Sequence, residues 1–368
     1  MSHIVIDARE YTTTTGRYMY RLLQYLDKID AMQATGHEYT VLLKPRDMRV
    51  YEFVSPRFRK VTCPHQEFTF DEQLGLLGQI QDLKPDLVHF GMVQQPIGYH
   101  GLSVTTMHDL TTIRFRNPSK NVVSFTIKQQ IYKGVNKYVA RKSAVILTPT
   151  DFVKQDIVNY TGVKPDKITV TYEAADKIED IPEPVSAVAG KRFVMYLGRP
   201  LPHKNLGRLI DAFELLKQTQ PDLMLVLAGK TDPLYEQHYE DVQKRRISDV
   251  IFTGFVSEGQ LRWLYENCQA YVFPTLSEGF GLPGLEAMIH GAPVVSSNAT
   301  CLPEVYGDAA HYFDPLDVPA IAKAMNDVLT NQKLRNGLIQ KGGLQAAGYS
   351  WERMARQTLD VYNKALGA

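Results

Sequence analysis

Two carboxylates eight positions apart in a glycine-rich stretch are the first feature with chemical content. SEGFGLPGLEAM, residues 277–288, carries Glu278 and Glu286, with Gly279, Gly281, Pro283 and Gly284 between them. The glycines let a loop bring bare backbone to a ligand, and the proline suits the first turn of a following helix. That helix start exposes unpaired N–H groups and a partial positive charge, a seat for phosphate. Carboxylates beside it would repel a bare phosphate, so the ligand must also offer hydroxyls, which carboxylates accept. A second stretch, YLGRPLPHKNLGRLIDAF at 196–213, places Arg199 and Lys204 in a strand-to-helix loop. There they can neutralise a leaving diphosphate, a task otherwise given to a divalent cation. A nucleotide sugar combines all these groups. The plainer alternative is that Glu286 only complements its helix end, the glycines only shape a turn, and the two cations are solvated. In the first half, TTMHDLT at 105–111 sets His108 and Asp109 just beyond an apolar strand. A strand-end histidine is commonly a satisfied structural residue, and Asp109 can instead cap the next turn.

These residues need elements to position them. Short apolar runs alternate with helical periodicity along nearly the whole chain, the pattern of parallel sheets covered by crossover helices, so an α/β protein is expected. Strands are predicted at 4–8, 39–43, 87–90, 104–107, 144–147 and 168–171, with helices near 18–25, 71–81, 122–141 and 151–159. The stretch 179–190 is Pro-bearing and aperiodic and reads as a linker. Strands resume at 193–197, 223–228, 250–252, 270–273, 293–296 and 310–313. In the first helix after the linker Asn205 is the expected N-cap, and Leu206, Leu209, Ile210 and Phe213 form its apolar stripe. Two doubly wound domains follow, 1–178 and 191–349, with a cleft expected at the carboxyl ends of their strands.

Composition narrows the functions. At 368 residues, 44% apolar and 22% charged, the chain is that of an ordinary globular protein, long enough for two domains. Forty-one basic against 40 acidic residues leave a net charge of +1, which gives no global field for nucleic acid. The charge is uneven, however. Between Leu110 and Thr150 stand Arg114, Arg116, Lys120, Lys128, Lys133, Lys137, Arg141 and Lys142 with no acidic residue. Val122, Phe125, Ile131, Val135, Tyr138 and Val139 can form an apolar face on the same helix, weakened by Gly134. This stretch is either a solvated helix face or a patch for anionic lipid or a polyprenyl-diphosphate acceptor. Three widely spaced cysteines cannot staple the chain, and no apolar run reaches the roughly 18 residues of a spanning helix or resembles a signal segment. A cytoplasmic protein, peripheral at most at the inner membrane face, is expected.

Taken in order, GRPLPHKN, FTGFVSEGQLRWLYENCQAYVFPT at 252–275, SEGFGLPGLEAM and CLPEVYGDAAHYFDP at 301–315 resemble the retaining glycosyltransferases of family 4, whose signature is a Glu, seven residues, Glu element. The resemblance covers nearly the whole chain and implies the GT-B fold of two facing Rossmann-like domains. It implies that Arg199 and Lys204 bind the donor diphosphate, Glu278 contacts the donor sugar, and Glu286 holds the ribose diol. Backbone amides of Phe280, Gly281 and Leu282 would meet sugar and phosphate, Val256 the nucleobase, and His108 the donor sugar near the reacting carbon. The N-terminal loop EYTTTTGRY, 10–18, occupies the place of the family's glycine-rich loop but keeps only Gly16, so Gly16 and Arg17 remain its candidate contacts and the threonines read as a polar loop. Asp109 and Arg17 are acceptor-side candidates. The last helix, within 350–368, would cross back onto the first domain.

The implied activity is transfer of a sugar from a nucleoside diphosphate to a hydroxyl of a glycan, lipid-linked or small-molecule acceptor, with retention, no metal and no other cofactor. The TMHDLT and GRPLPHKN contexts resemble mannosyl transferases, which favours GDP-mannose over UDP-glucose or UDP-N-acetylglucosamine. The alternatives are an inverting transferase or epimerase with His108 or Asp109 as general base, and a noncatalytic nucleotide-sugar binding module. A Rossmann oxidoreductase is disfavoured, because no G-x-G-x-x-G follows the first strand of either half.

Overall fold

The computed structural model describes residues 1–11, 16–116 and 122–367, apart from the side chains of 122–125. The threonines at 12–15, Lys120, and the side chains of Val122 and Phe125 lie outside the described residues. The chain divides into two compact units: Met1–Leu110 with Lys128–Glu173 and Ser350–Ala368, and Thr111–Ile127 with Ala174–Tyr349. Sequence periodicity had put the whole stretch up to 178 in one domain. Thr111–Ile127 instead groups with the second unit, where the Thr111 and Ser277 hydroxyls meet at 2.8 Å and the Phe115 ring lies 5.7 Å from His203.

The first unit is a parallel sheet of seven strands: β1 Ser2–Asp7, β2 His37–Leu43, β3 Phe58–Thr62, β4 Leu87–Phe90, β5 Ser103–Thr106, β6 Val145–Thr148 and β7 Ile168–Val170, ordered β3-β2-β1-β4-β5-β6-β7. Its strands are apolar because crossover helices cover both faces, and Val5, Leu42, Val88 and Phe90 are wholly buried with Leu76 and Ile80 packed on them. Sequence reasoning missed β3. It is an edge strand whose Arg59 and Lys60 break the apolar run, as charges on edges commonly do. The helix Trp351–Leu366 closes this unit against the helix Gly16–Gln33. Ser350 caps it by accepting from the Arg353 N–H, and Trp351, Met354, Thr358, Leu359, Val361 and Tyr362 form its buried stripe.

The second unit holds β8 Arg192–Leu197, β9 Leu223–Ala228, β10 Val250–Gly254, β11 Ala270–Phe273, β12 Val294–Ser297 and β13 Ala310–Phe313, all parallel and ordered β10-β9-β8-β11-β12-β13. Strand order reverses between β8 and β11, so the loops leaving those two strands flank the point where doubly wound sheets bind ligands. In the first unit the same reversal falls between β1 and β4. Among the described residues no helix is long and apolar enough to cross a membrane. The three cysteines are buried and unbridged, and burial pushes the thiols of Cys63 and Cys268 up to about 12, so both are inert at neutral pH.

Candidate active site

In the second unit, the loops after β8 and β11 are sewn together by main-chain and amide bonds. The His203 carbonyl accepts from the Leu276 N–H at 2.6 Å and from the Thr275 hydroxyl at 3.1 Å. Asn205 holds the N-cap position of the helix Leu206–Lys217, but its side chain does not cap. With φ at 62°, the residue turns its amide away from the helix, donating to the carbonyls of Pro274 at 2.9 Å and Pro315 at 2.7 Å. Its Oδ1 accepts from Arg208 at 2.9 Å. The expected capping role is thus replaced by a clasp among the loops after β8, β11 and β13. Leu206, Leu209, Ile210 and Phe213 are buried as the periodicity requires.

That clasp brings Lys204 and Glu278 into direct contact, Nζ to Oε1 at 2.5 Å, with 19% and 13% of the two side chains exposed. Below them the Lys204 ammonium lies 5.6 Å from the Phe273 ring centre. The Glu278 N–H donates to the Thr300 hydroxyl and its carbonyl accepts from the Cys301 thiol. Arg199 leaves the same β8 end but turns towards β9, where its guanidinium stands 3.5 Å from Asp232. Asp232 also caps the helix Pro233–Arg245 through the N–H groups of Leu234 and Tyr235, so Arg199 leans on a fixed carboxylate. Val256, half-buried, follows β10 on this rim.

Glu286 lies in the second turn of the helix Leu282–Ile289, buried, with the Tyr265 hydroxyl donating to it at 3.4 Å. Phe280 is buried edge-on against Tyr349, so only its backbone is available to a ligand. The glycines have a nearer cause than ligand approach. A Cβ on Gly281 would lie 2.6 Å, and one on Gly284 2.3 Å, from the Tyr306 hydroxyl, which itself donates to the Gly281 carbonyl. Gly281 further needs its φ of 92°. Tyr306 therefore dictates Gly281 and Gly284, a dependence invisible in the sequence because the partner lies more than twenty residues downstream.

In the first unit, Gly16 opens the helix Gly16–Gln33, and a Cβ there would meet the Tyr11 carbonyl at 2.3 Å; Arg17 beside it is exposed. His108 follows β5. Its Nε2 lies 3.2 Å from the Gly91 carbonyl and its Nδ1 3.4 Å from Glu173, while Tyr18 packs edge-on at 4.8 Å. Asp109 is half-buried beside it. Burial draws the imidazole down, but Glu173, Asp109 and the Gly91 carbonyl outweigh it and leave His108 above its ordinary value. Sequence reasoning passed over Glu173, although a single acid in the apolar run ITVTYEAA was the signal. It also passed over a buried ion cluster at the end of β1. There Arg9 grips Asp7 through two N–H groups at 2.9 and 2.8 Å and Glu72 at 3.0 Å, all three side chains sealed from solvent. Among the described residues no group of three or more His, Cys, Asp or Glu side chains is placed to hold a metal ion.

Known proteins are similar to this chain in sequence and in fold. Residues 15–178 match the family model described as Glycosyltransferase Family 4, and residues 177–344 match Glycosyl transferases group 1. The chain is 32% identical over 273 residues to the O-antigen chain mannosyltransferase B of Escherichia coli, covering 71% of this chain and 70% of that protein. It is 33% identical to the serotype-specific mannosyltransferase WbdA of E. coli over 60% of its own length but only 27% of that protein's. In fold it matches a sucrose-phosphate synthase of Thermosynechococcus elongatus with a TM-score of 0.76 at 18% identity, over 99% of both chains. With two parallel Rossmann-like sheets, and the Lys204–Glu278 pair at the strand-order reversal of the second, this chain belongs to the GT-B glycosyltransferases of family 4, the nucleotide-sugar-dependent hexosyltransferases.

Proposed function

We propose that the protein transfers mannose from GDP-mannose to a hydroxyl of a glycan, with retention of anomeric configuration. The observation that carries this reading is the Lys204–Glu278 contact at the reversal point, which sets a cation for phosphate beside an acceptor for sugar hydroxyls. Mannose rather than another hexose is supported by the names of the relatives above. The acceptor oxygen bonds the anomeric carbon as the bond to the diphosphate oxygen breaks, and the acceptor proton passes to a donor phosphate oxygen on the same face. Arg199 and Lys204 offset the charge developing on the departing diphosphate, so transfer should persist in a chelator. Glu278 and Glu286 hold the hydroxyls at either end of the donor, and the backbone of 280–282 meets its phosphate and sugar.

One observation favours a lipid-linked acceptor over a free sugar. The first unit carries an apolar trough of about 560 Å³ walled by Phe68, Phe70, Ile97, Ile131 and Tyr132, with Lys128 on its lining. Phe68, Phe70 and Ile131 are exposed, a large apolar surface to leave in water. The basic stretch 114–142 then meets an anionic membrane. Sedimentation with phosphatidylglycerol vesicles but not with phosphatidylcholine vesicles is the expected result, and indifference to lipid charge removes this part of the reading.

Thermal shift against a panel of nucleotide sugars tests the donor, since a ligand selective for the native state raises its melting temperature. GDP-mannose is expected to give the largest shift. NMR of the first-formed product then reads its anomeric configuration. A panel in which no nucleotide sugar moves the melting temperature would overturn the proposal.

A further inference from the structure

Both ring nitrogens of His108 face groups that can only accept. Nε2 lies 3.2 Å from the carbonyl oxygen of Gly91, and Nδ1 lies 3.4 Å from Oε1 of Glu173. A neutral imidazole has one N–H, so against an ionised Glu173 it would turn a bare lone pair towards an oxygen lone pair. Two N–H groups satisfy both sides. His89, on β4, is the contrast. Its nitrogens meet the hydroxyls of Tyr362 at 2.5 Å and Thr106 at 2.8 Å, and a hydroxyl serves as donor or acceptor as required. A neutral ring is therefore fully satisfied there, and burial holds its pKa down near 3. Thr106 passes the network on to Tyr18 at 2.9 Å, and the Tyr18 ring packs against His108. One histidine thus has partners that suit a neutral ring, while its neighbour's partners suit a charged one.

The surroundings of His108 are consistent with that charge. Glu173, from the segment after β7, is only 6% exposed and has an unpaired cost unless a cation faces it. Asp109 adds a second carboxylate from the same loop as His108. From β4 comes His89, whose own protonation would oppose that of His108 and which burial keeps neutral. From the helix Gly16–Gln33 comes the Tyr18 phenol, which burial keeps protonated. The balance facing the ring is negative.

We propose that Glu173 is a positioning residue that holds His108 as a doubly protonated imidazolium, a fixed positive charge with no nitrogen free to deprotonate an acceptor. The inference rests on the reading that His108 belongs to the transferase site. It sets aside the inverting or epimerising alternatives in which His108 is the general base, and it gives the rate a pH dependence of opposite sign. A required cation loses activity as pH rises through its pKa. A required base loses activity as pH falls.

The test is nitrogen-15 NMR of the histidine rings between about pH 5 and pH 9 in the wild type, Glu173→Gln and Glu173→Asp, with kcat/KM measured over the same range. His108 is expected to show two protonated nitrogens at neutral pH and a midpoint above the ordinary 6.5 or so of a free imidazole. Glu173→Gln should lower that midpoint by at least about one pH unit, a tenfold change in the protonation equilibrium, and Glu173→Asp should restore most of it. The alkaline limb of kcat/KM should move with the midpoint, in kcat more than in KM. One bare ring nitrogen at neutral pH, which would place the proton on Glu173, overturns the proposal, as does a midpoint indifferent to Glu173→Gln. A rate that climbs as His108 loses its proton also overturns it. Should no nucleotide sugar be turned over, the transferase reading fails on its own, while the ring signals still decide whether Glu173 charges His108. If Glu173→Gln does not fold, the wild-type and Glu173→Asp spectra carry the decision.

Discussion

Replacing Lys204 by methionine removes a charge while keeping most of the side-chain volume. In the structure that side chain is largely withdrawn from water, 19% exposed, and its ammonium touches Glu278 at 2.5 Å. Two unit charges at about 4 Å and an effective dielectric near 20 interact by about 4 kcal/mol. Part of that is lost to desolvation, and removing one positioned donor from a site of developing charge lowers turnover by about 10² to 10³. A loss of about 100-fold in kcat/KM, or about 2.7 kcal/mol, is therefore expected of Lys204→Met. Two causes can produce it: the diphosphate loses its cation, or Glu278 becomes an unneutralised carboxylate that repels the donor. The double variant Lys204→Met with Glu278→Gln separates them, because the second cause disappears with the carboxylate. Initial rates of nucleoside diphosphate release, with melting curves to confirm folding, supply the numbers. A single variant within about threefold of wild type, or a double variant restored to wild-type turnover, would refute the idea that Lys204 acts on the leaving group.

His89 makes the first unit acid-labile. Its folded pKa near 3 lies below the unfolded 6.5, so the stability it contributes is complete above about pH 6.5 and is lost as pH falls towards 3. Between pH 7.5 and 4.5 this amounts to roughly 2 to 3 kcal/mol, and urea unfolding of His89→Leu should show a correspondingly flatter pH dependence. Parallel slopes would reject the assignment. Gly284→Ala should destabilise by more than about 2 kcal/mol, since its Cβ would stand 2.3 Å from the Tyr306 hydroxyl on a buried ring. Gly343→Ala, in the helix Gln332–Ala347 with nothing within 4 Å, should instead stabilise by about 0.5 to 1 kcal/mol. Equal melting temperatures for the two would show that Tyr306 does not dictate the loop.

Periodicity made most of the sheets legible because buried parallel strands are continuous apolar runs, as in β4, β9 and β11. It failed at β3, where edge charges mask the run, and at 111–127, whose allegiance depends on contacts such as Thr111 with Ser277 that no local pattern encodes. Candidate site residues are legible where chemistry sits in short motifs: Lys204 and Glu278, read from two separate loops as a phosphate cation and a sugar-hydroxyl acceptor, touch in the structure. Long-range partners were not. Asn205 looks like a cap from its position before an apolar stripe, yet its amide is claimed by Pro274 and Pro315, 69 and 110 residues away. Glu173 lies 65 residues from His108, and the cluster of Arg9 with Glu72 is equally remote in sequence, so neither leaves a spacing signal.

The clasp made by Asn205 bears on how such a site can diverge. One carboxamide fastens three loop roots at once, so a chain that adopts a new donor sugar cannot do so by re-aiming a single loop without loosening the other two. Selectivity must instead be rewritten in the side chains hung from that frame, and variants sought for altered donor choice are best drawn from those pendant positions with Asn205 left untouched.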